Sequence, residues 1–70
     1  MKEFVMYMKL KNRGAEIRKE NTSSCEMYVV DFYEDDVIVE SRDLPGKSIY
    51  YARDTAENWV NGIIEKAQCN

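Results

Sequence analysis

Residues 25–33, Cys-Glu-Met-Tyr-Val-Val-Asp-Phe-Tyr, decide the fold class. The stretch is rich in β-branched and aromatic residues and reads with a period of two. Tyr28, Val30 and Phe32 fall on one side, and Met27, Val29, Asp31 and Tyr33 on the other. Working outward, Glu34-Asp35-Asp36 is a tight polar turn, and Val37 to Arg42 alternates again. Val37 and Val39 take one side of that strand, and Ile38, Glu40 and Arg42 the other. Asp43-Leu44-Pro45-Gly46 is a second turn signal, since Pro-Gly suits the central positions of a type II turn. Lys47 to Arg53, with Ile49, Tyr50 and Tyr51, reads as a further strand, completing an antiparallel meander.

Toward the N-terminus, residues 3–11 alternate as well. Phe4, Met6, Met8 and Leu10 oppose Glu3, Val5, Tyr7, Lys9 and Lys11. Asn12-Arg13-Gly14 is a turn signal, with Gly14 able to take positive φ. Ile17 is the one large apolar residue of 15–24, and Asn21-Thr22-Ser23-Ser24 is loop chemistry. The expectation for 12–24 is an exposed excursion, with a frayed hairpin arm as the alternative.

The C-terminal pattern changes period. Ala56, Trp59, Val60, Ile63, Ile64 and Ala67 lie at offsets 0, 3, 4, 7, 8 and 11, one apolar stripe of a helix. Asp54 is placed as N-cap, with Glu57 at the acid position of a capping box. Trp59 is the natural core plug. Gly62 inside such a helix costs up to about 1 kcal/mol relative to alanine. The sequence predicts a single α+β domain spanning 1–70, a four-stranded antiparallel sheet with one C-terminal helix packed on one face. One helix covers one face, so the other is open to water or to a partner.

Seventy residues bury roughly 60% of the unfolded surface, enough for one thin core and no deep cleft. Histidine is absent, and Cys25 and Cys69 make no zinc spacing. No phosphate loop or nucleophile elbow occurs. Catalysis, a metal and a cofactor are therefore not expected. No run is apolar enough for a signal peptide or a membrane span, and two reduced cysteines suit the cytoplasm. The expected locale is cytoplasmic, away from membranes.

The net charge of −3 is unevenly spread. Residues 1–24 hold six bases and three acids; residues 25–70 hold four bases and ten acids. That is a poor footprint for direct nucleic-acid binding. The acidic half could serve solubility alone or face a basic partner. Asp31, Glu34, Asp35 and Asp36 could mimic phosphates, or be turn chemistry and nothing more. On the open face the alternation places Val5, Tyr7, Lys9, Val29, Asp31, Tyr33, Ile38, Glu40 and Arg42. Tyrosine and arginine are the residue types enriched at interface hot spots. Tyr7, Tyr33, Glu40, Asp31 and Arg42 are accordingly the candidate partner-binding residues. An ordinary solvated sheet face, or a homodimer through it, would present the same pattern.

Two family resemblances bear on the partner. Gly46-Lys47-Ser48-Ile49, Ala52-Arg53 and Glu57-Asn58-Trp59-Val60-Asn61-Gly62, with Tyr7 in the first strand and Tyr33-Glu34, resemble a small phage-encoded type I-F anti-CRISPR family. The resemblance implies a viral, non-enzymatic inhibitor that binds a crRNA-guided surveillance complex in the host. It implies that two sheet tyrosines, here Tyr7 and Tyr33, and an acid, here Glu40, make the contact. Separately, Tyr28 to Glu34, Asp36-Val-Ile-Val, Asp43-Leu44-Pro45-Gly46 and Asp54-Thr55 are similar in order to HicB-type antitoxins, although the glycines of that pattern are missing from the first turn. That likeness implies an antitoxin bound to an RNase. Both point to a host nucleic-acid-handling protein as partner.

Overall fold

The computed structural model describes residues 2–21 and 26–63. Four strands, β1 (Lys2–Leu10), β2 (Arg13–Asn21), β3 (Glu26–Glu34) and β4 (Val37–Pro45), pair in sequence order, each antiparallel to the last. One helix, α1 (Ile49–Val60), follows and packs on β2 and β3, with a smaller contact to β1. The expected α+β class, with four antiparallel strands and one helix on one face, is what the chain adopts. One of the four strands is not the one expected: β2 stands in place of the strand expected over 47–53.

The first correction concerns 12–24. Residues 13–21 are not an exposed excursion: they form the returning arm of a hairpin with β1, as in the alternative reading, and that arm is a central strand paired on both edges. Ala15 and Ile17 are wholly buried under the helix, while Glu16, Arg18 and Glu20 point the other way. The strand looks weak in sequence because alanine and a single isoleucine suffice beneath a bulky helix residue. Positions 22–24 lie outside the described residues. The turn is Lys11-Asn12, with Lys11 at φ 58°, and not Asn12-Arg13-Gly14. Gly14 sits inside β2 and has no positive φ.

The second correction concerns 47–53. Ser48 is the N-cap, its hydroxyl accepting from the Tyr51 amide at 3.3 Å, and the helix runs from Ile49. Asp54 lies mid-helix and caps nothing. Ile49, Ala52, Ala56 and Trp59 form the buried edge, so an apolar spacing that also fits a strand is resolved by packing. α1 ends at Val60, before the last three positions of the apolar stripe. Gly62, at φ 77°, is the residue just past the cap rather than an interior glycine. Its amide donates to the Trp59 carbonyl, and the Ile63 amide to that of Asn58, a Schellman closure. Ile63 is exposed; Ile64 and Ala67 lie outside the described residues.

Both polar turns are where the sequence put them. Asp35 and Asp36 join Glu34 to Val37 with φ of 54° and 66°, the left-handed pair of a type I′ hairpin. Leu44 to Lys47 is a type II turn: Lys47 donates to the Leu44 carbonyl at 3.3 Å, with Gly46 at φ 74°.

Trp59 is the plug. Its ring is fully buried and stacked on Phe32, and its indole N–H donates to the Tyr33 carbonyl at 3.1 Å. The Arg13 guanidinium lies 4.1 Å from the Trp59 ring centre and donates to the Trp59 carbonyl at 3.2 Å. This one interaction ties the start of β2 to the last turn of α1.

Candidate functional site: the uncovered sheet face

Cross-strand register defines the face away from the helix as three rows. The first is Lys9, Gly14, Tyr33 and Ile38; the second Tyr7, Glu16, Asp31 and Ser41; the third Phe4, Arg18, Val29 and Asp43. Tyr7, Asp31 and Tyr33 are brought together there, as the alternation predicted. Glu40 and Arg42 are not. A bulge at Val39 adds one residue to β4 between Ile38 and Glu40, and an extra residue inverts the parity beyond it. Glu40 therefore pairs with Phe32 and Arg42 with Val30, both on the helix side. There Arg42 donates to Glu40 at 2.9 Å and lies 5.1 Å from the Phe32 ring centre. A second bulge, at Val5 in β1, does the same at the other edge: Val5 packs against the core and Phe4 turns outward. Bulges on both edge strands also discourage edge-to-edge pairing.

The two tyrosines touch. Their ring centres are 5.9 Å apart at 75°, an edge-to-face pair. Gly14 makes this possible, because a Cβ there would strike the Tyr7 hydroxyl and lie 3.0 Å from its Cζ. The Tyr7 ring thus lies over bare backbone and remains 44% exposed. Burial holds the Tyr33 phenol above its ordinary pKa, with Glu16, Asp31 and Tyr7 adding to the effect and Arg18 opposing it.

Beside the tyrosines lies a charged network. Arg18 donates from Nε to Asp31 Oδ2 at 2.9 Å and from a terminal nitrogen to Oδ1 at 3.2 Å, a bidentate pair. Ser41 donates to the same Oδ1 at 2.5 Å, and Glu20 also pairs with Arg18. Asp31 is buried among these neighbours, and among the described residues no second layer covers it. Val29, in the adjacent row, is likewise buried although the helix is on the other side. The hydrogen bond to Asp31 holds the Arg18 guanidinium above its ordinary pKa; burial opposes it, and the charges of Asp31, Glu16 and Asp43 add to the rise.

Arg18, Glu16, Glu20, Gly14, Ser41 and Asp43 were missed from the sequence. The signal for the β2 members was present: Ala15 and Ile17 alternate with Glu16, Arg18 and Glu20 at period two. The acidic turn is tied to the neighbouring hairpin through both of its aspartates. The Asp35 amide donates to the Asn12 carbonyl at 2.8 Å, which joins the two hairpin ends, and Asp36 pairs with Lys9 at 3.1 Å.

Among the described residues no three His, Cys, Asp or Glu side chains are grouped to hold a metal ion, and no helix is long and apolar enough to cross a membrane. A shallow cleft of about 300 Å³ lies on the far side of the molecule, between Leu10–Arg13 and Val60–Gly62. It holds no carboxylate and no tyrosine. The sheet face is the place where aromatic area, buried charge and exposed apolar groups coincide. No protein-family model, curated protein or solved structure matches the chain.

Proposed function

We propose that this chain is a small non-enzymatic inhibitor that binds a host nucleic-acid-targeting defence complex through its uncovered sheet face. The observation that carries the reading is the Tyr7–Tyr33 contact. Residues 26 positions apart, on strands that are not neighbours, meet on the face that no other described element covers. Partly exposed tyrosines offer large contact area at small entropic cost, as interface anchors do. The resemblance to phage anti-CRISPR proteins supplies the class of target. The acidic role it implies passes from Glu40 to Glu16, the cross-strand neighbour of Tyr7. Acidic surroundings favour a protein surface over nucleic acid as the direct contact.

The test is interference itself. In a bacterium with an active type I-F system, expression of this chain should restore plating of a targeted phage. Tyr7→Ala with Tyr33→Ala should abolish the effect in a folded protein. Unchanged interference on expression of the wild-type chain would end this reading. The antitoxin alternative rests on Asp43 to Gly46, whose last two residues turn as its Pro-Gly requires. It predicts relief of a cognate RNase instead.

A further inference from the structure

We infer that the uncovered face receives an arginine side chain from a basic protein surface, stacked on Tyr7 and paired with Glu16. The inference rests on taking this face as the interface, and adds the chemistry of what it binds.

The charge around Arg18 is unbalanced. One guanidinium stands among Asp31, Glu20, Glu16 and Asp43. Asp31 and Glu20 pair with it, whereas Glu16 and Asp43 form no ion pair among the described residues. Lys9, the other cation in these rows, is paired with Asp36, so what this part of the face lacks is a cation for Glu16. Glu16 stands opposite Tyr7 across the β1–β2 ladder and close enough to Tyr33 to disfavour its ionisation. Tyr7, held over Gly14, leaves much of its ring accessible. An aromatic face beside a free carboxylate suits guanidinium better than ammonium. Guanidinium is planar and weakly hydrated, so it stacks on the ring while its N–H groups reach the carboxylate. A second copy of the chain laid face to face is disfavoured, because it would oppose two such carboxylate groups.

The test uses the full chain and the probe acetyl-Gly-Arg-Gly-amide, followed by backbone amide shifts in 15N-labelled protein. Saturable shifts are expected at Tyr7, Glu16 and Tyr33, about tenfold weaker in Glu16→Gln, and weaker for the lysine analogue. The glutamate analogue should produce none. Shifts scattered over the surface, or equal in wild type and Glu16→Gln, would overturn the inference. So would the same shifts with calcium chloride alone, which would mark a site for any cation. No defence complex enters this assay, so it can fail while the inhibitor reading stands, and the reverse.

Discussion

The Trp59 ring lies parallel to that of Phe32, with centres 4.6 Å apart and planes 7° from coplanar. Helix and sheet meet through this stack. Trp59→Ala should therefore cost about 3–5 kcal/mol, enough to unfold a domain of this size. Urea titration of Trp59→Phe, Phe32→Leu and the double variant should yield a coupling of about 0.5–1.5 kcal/mol. Strict additivity would mean that the rings are neighbours without being partners.

The helix start makes a sharper comparison. Ser48→Ala should lose about 1 kcal/mol, because the Tyr51 amide loses its acceptor. Asp54→Ala should change stability by less than about 0.5 kcal/mol, as an exposed mid-helix position. Thermal melts of the two variants decide this directly. The reverse order would restore the helix start at Asp54.

These two residues also mark where the sequence was legible. The β3 alternation, both polar turns and the burial of Trp59 could be read, because each depends on local spacing or on one dominant side chain. The strand count was reached by offsetting errors. Residues 13–21 hide a central strand because Gly14 and Ala15 leave room for Tyr7 and Trp59, and small residues carry little periodic signal. Lys47 to Arg53 holds Ile49, Tyr50 and Tyr51, which favour strand by propensity, yet Ser48 caps a helix there and Ala52 packs in its core. The candidate site was legible as far as parity holds. Tyr7, Asp31 and Tyr33 follow the pleat, whereas Glu40 and Arg42 lie beyond the Val39 bulge, which has no local signature in the sequence.

Asp31 should matter for folding before it matters for binding. It accepts two bonds from Arg18 and one from Ser41 while nearly buried. Asp31→Ala leaves a mostly buried guanidinium with Glu20 as its remaining close partner, at a cost of about 2–4 kcal/mol. Ser41→Ala removes one donor and should cost about 1 kcal/mol. Equal losses in urea denaturation would show that the network is not centred on Asp31.

At alkaline pH the sign of the Tyr33 contribution is fixed by its raised pKa. The unfolded chain releases this proton near pH 10 and the folded chain holds it longer, so the unfolded state binds fewer protons above pH 10. Stability should fall as pH rises from there toward the folded value. Lys9 and Lys19, raised by hydrogen bonds to Asp36 and Glu26, add to the same decline above pH 10.5. Tyr33→Phe should decline less steeply than wild type, and should lack one late tyrosinate step at 295 nm. Superimposable curves would place Tyr33 in water.

Gly14 separates fold from site. Gly14→Ala introduces a methyl where the Tyr7 hydroxyl rests, and that hydroxyl is the free end of a movable side chain. The ring can swing aside, so the stability change should stay within about 1 kcal/mol of wild type. The Tyr7–Tyr33 edge-to-face contact should be lost, however, because the ring no longer has bare backbone to lie across. Ring-proton shifts of both tyrosines report this, since each ring now shields the other. The sheet-face reading requires that Gly14→Ala impair partner binding nearly as much as Tyr7→Ala while melting close to wild type. A variant whose tyrosine shifts do not move would show that Tyr7 is held by something other than the glycine beneath it.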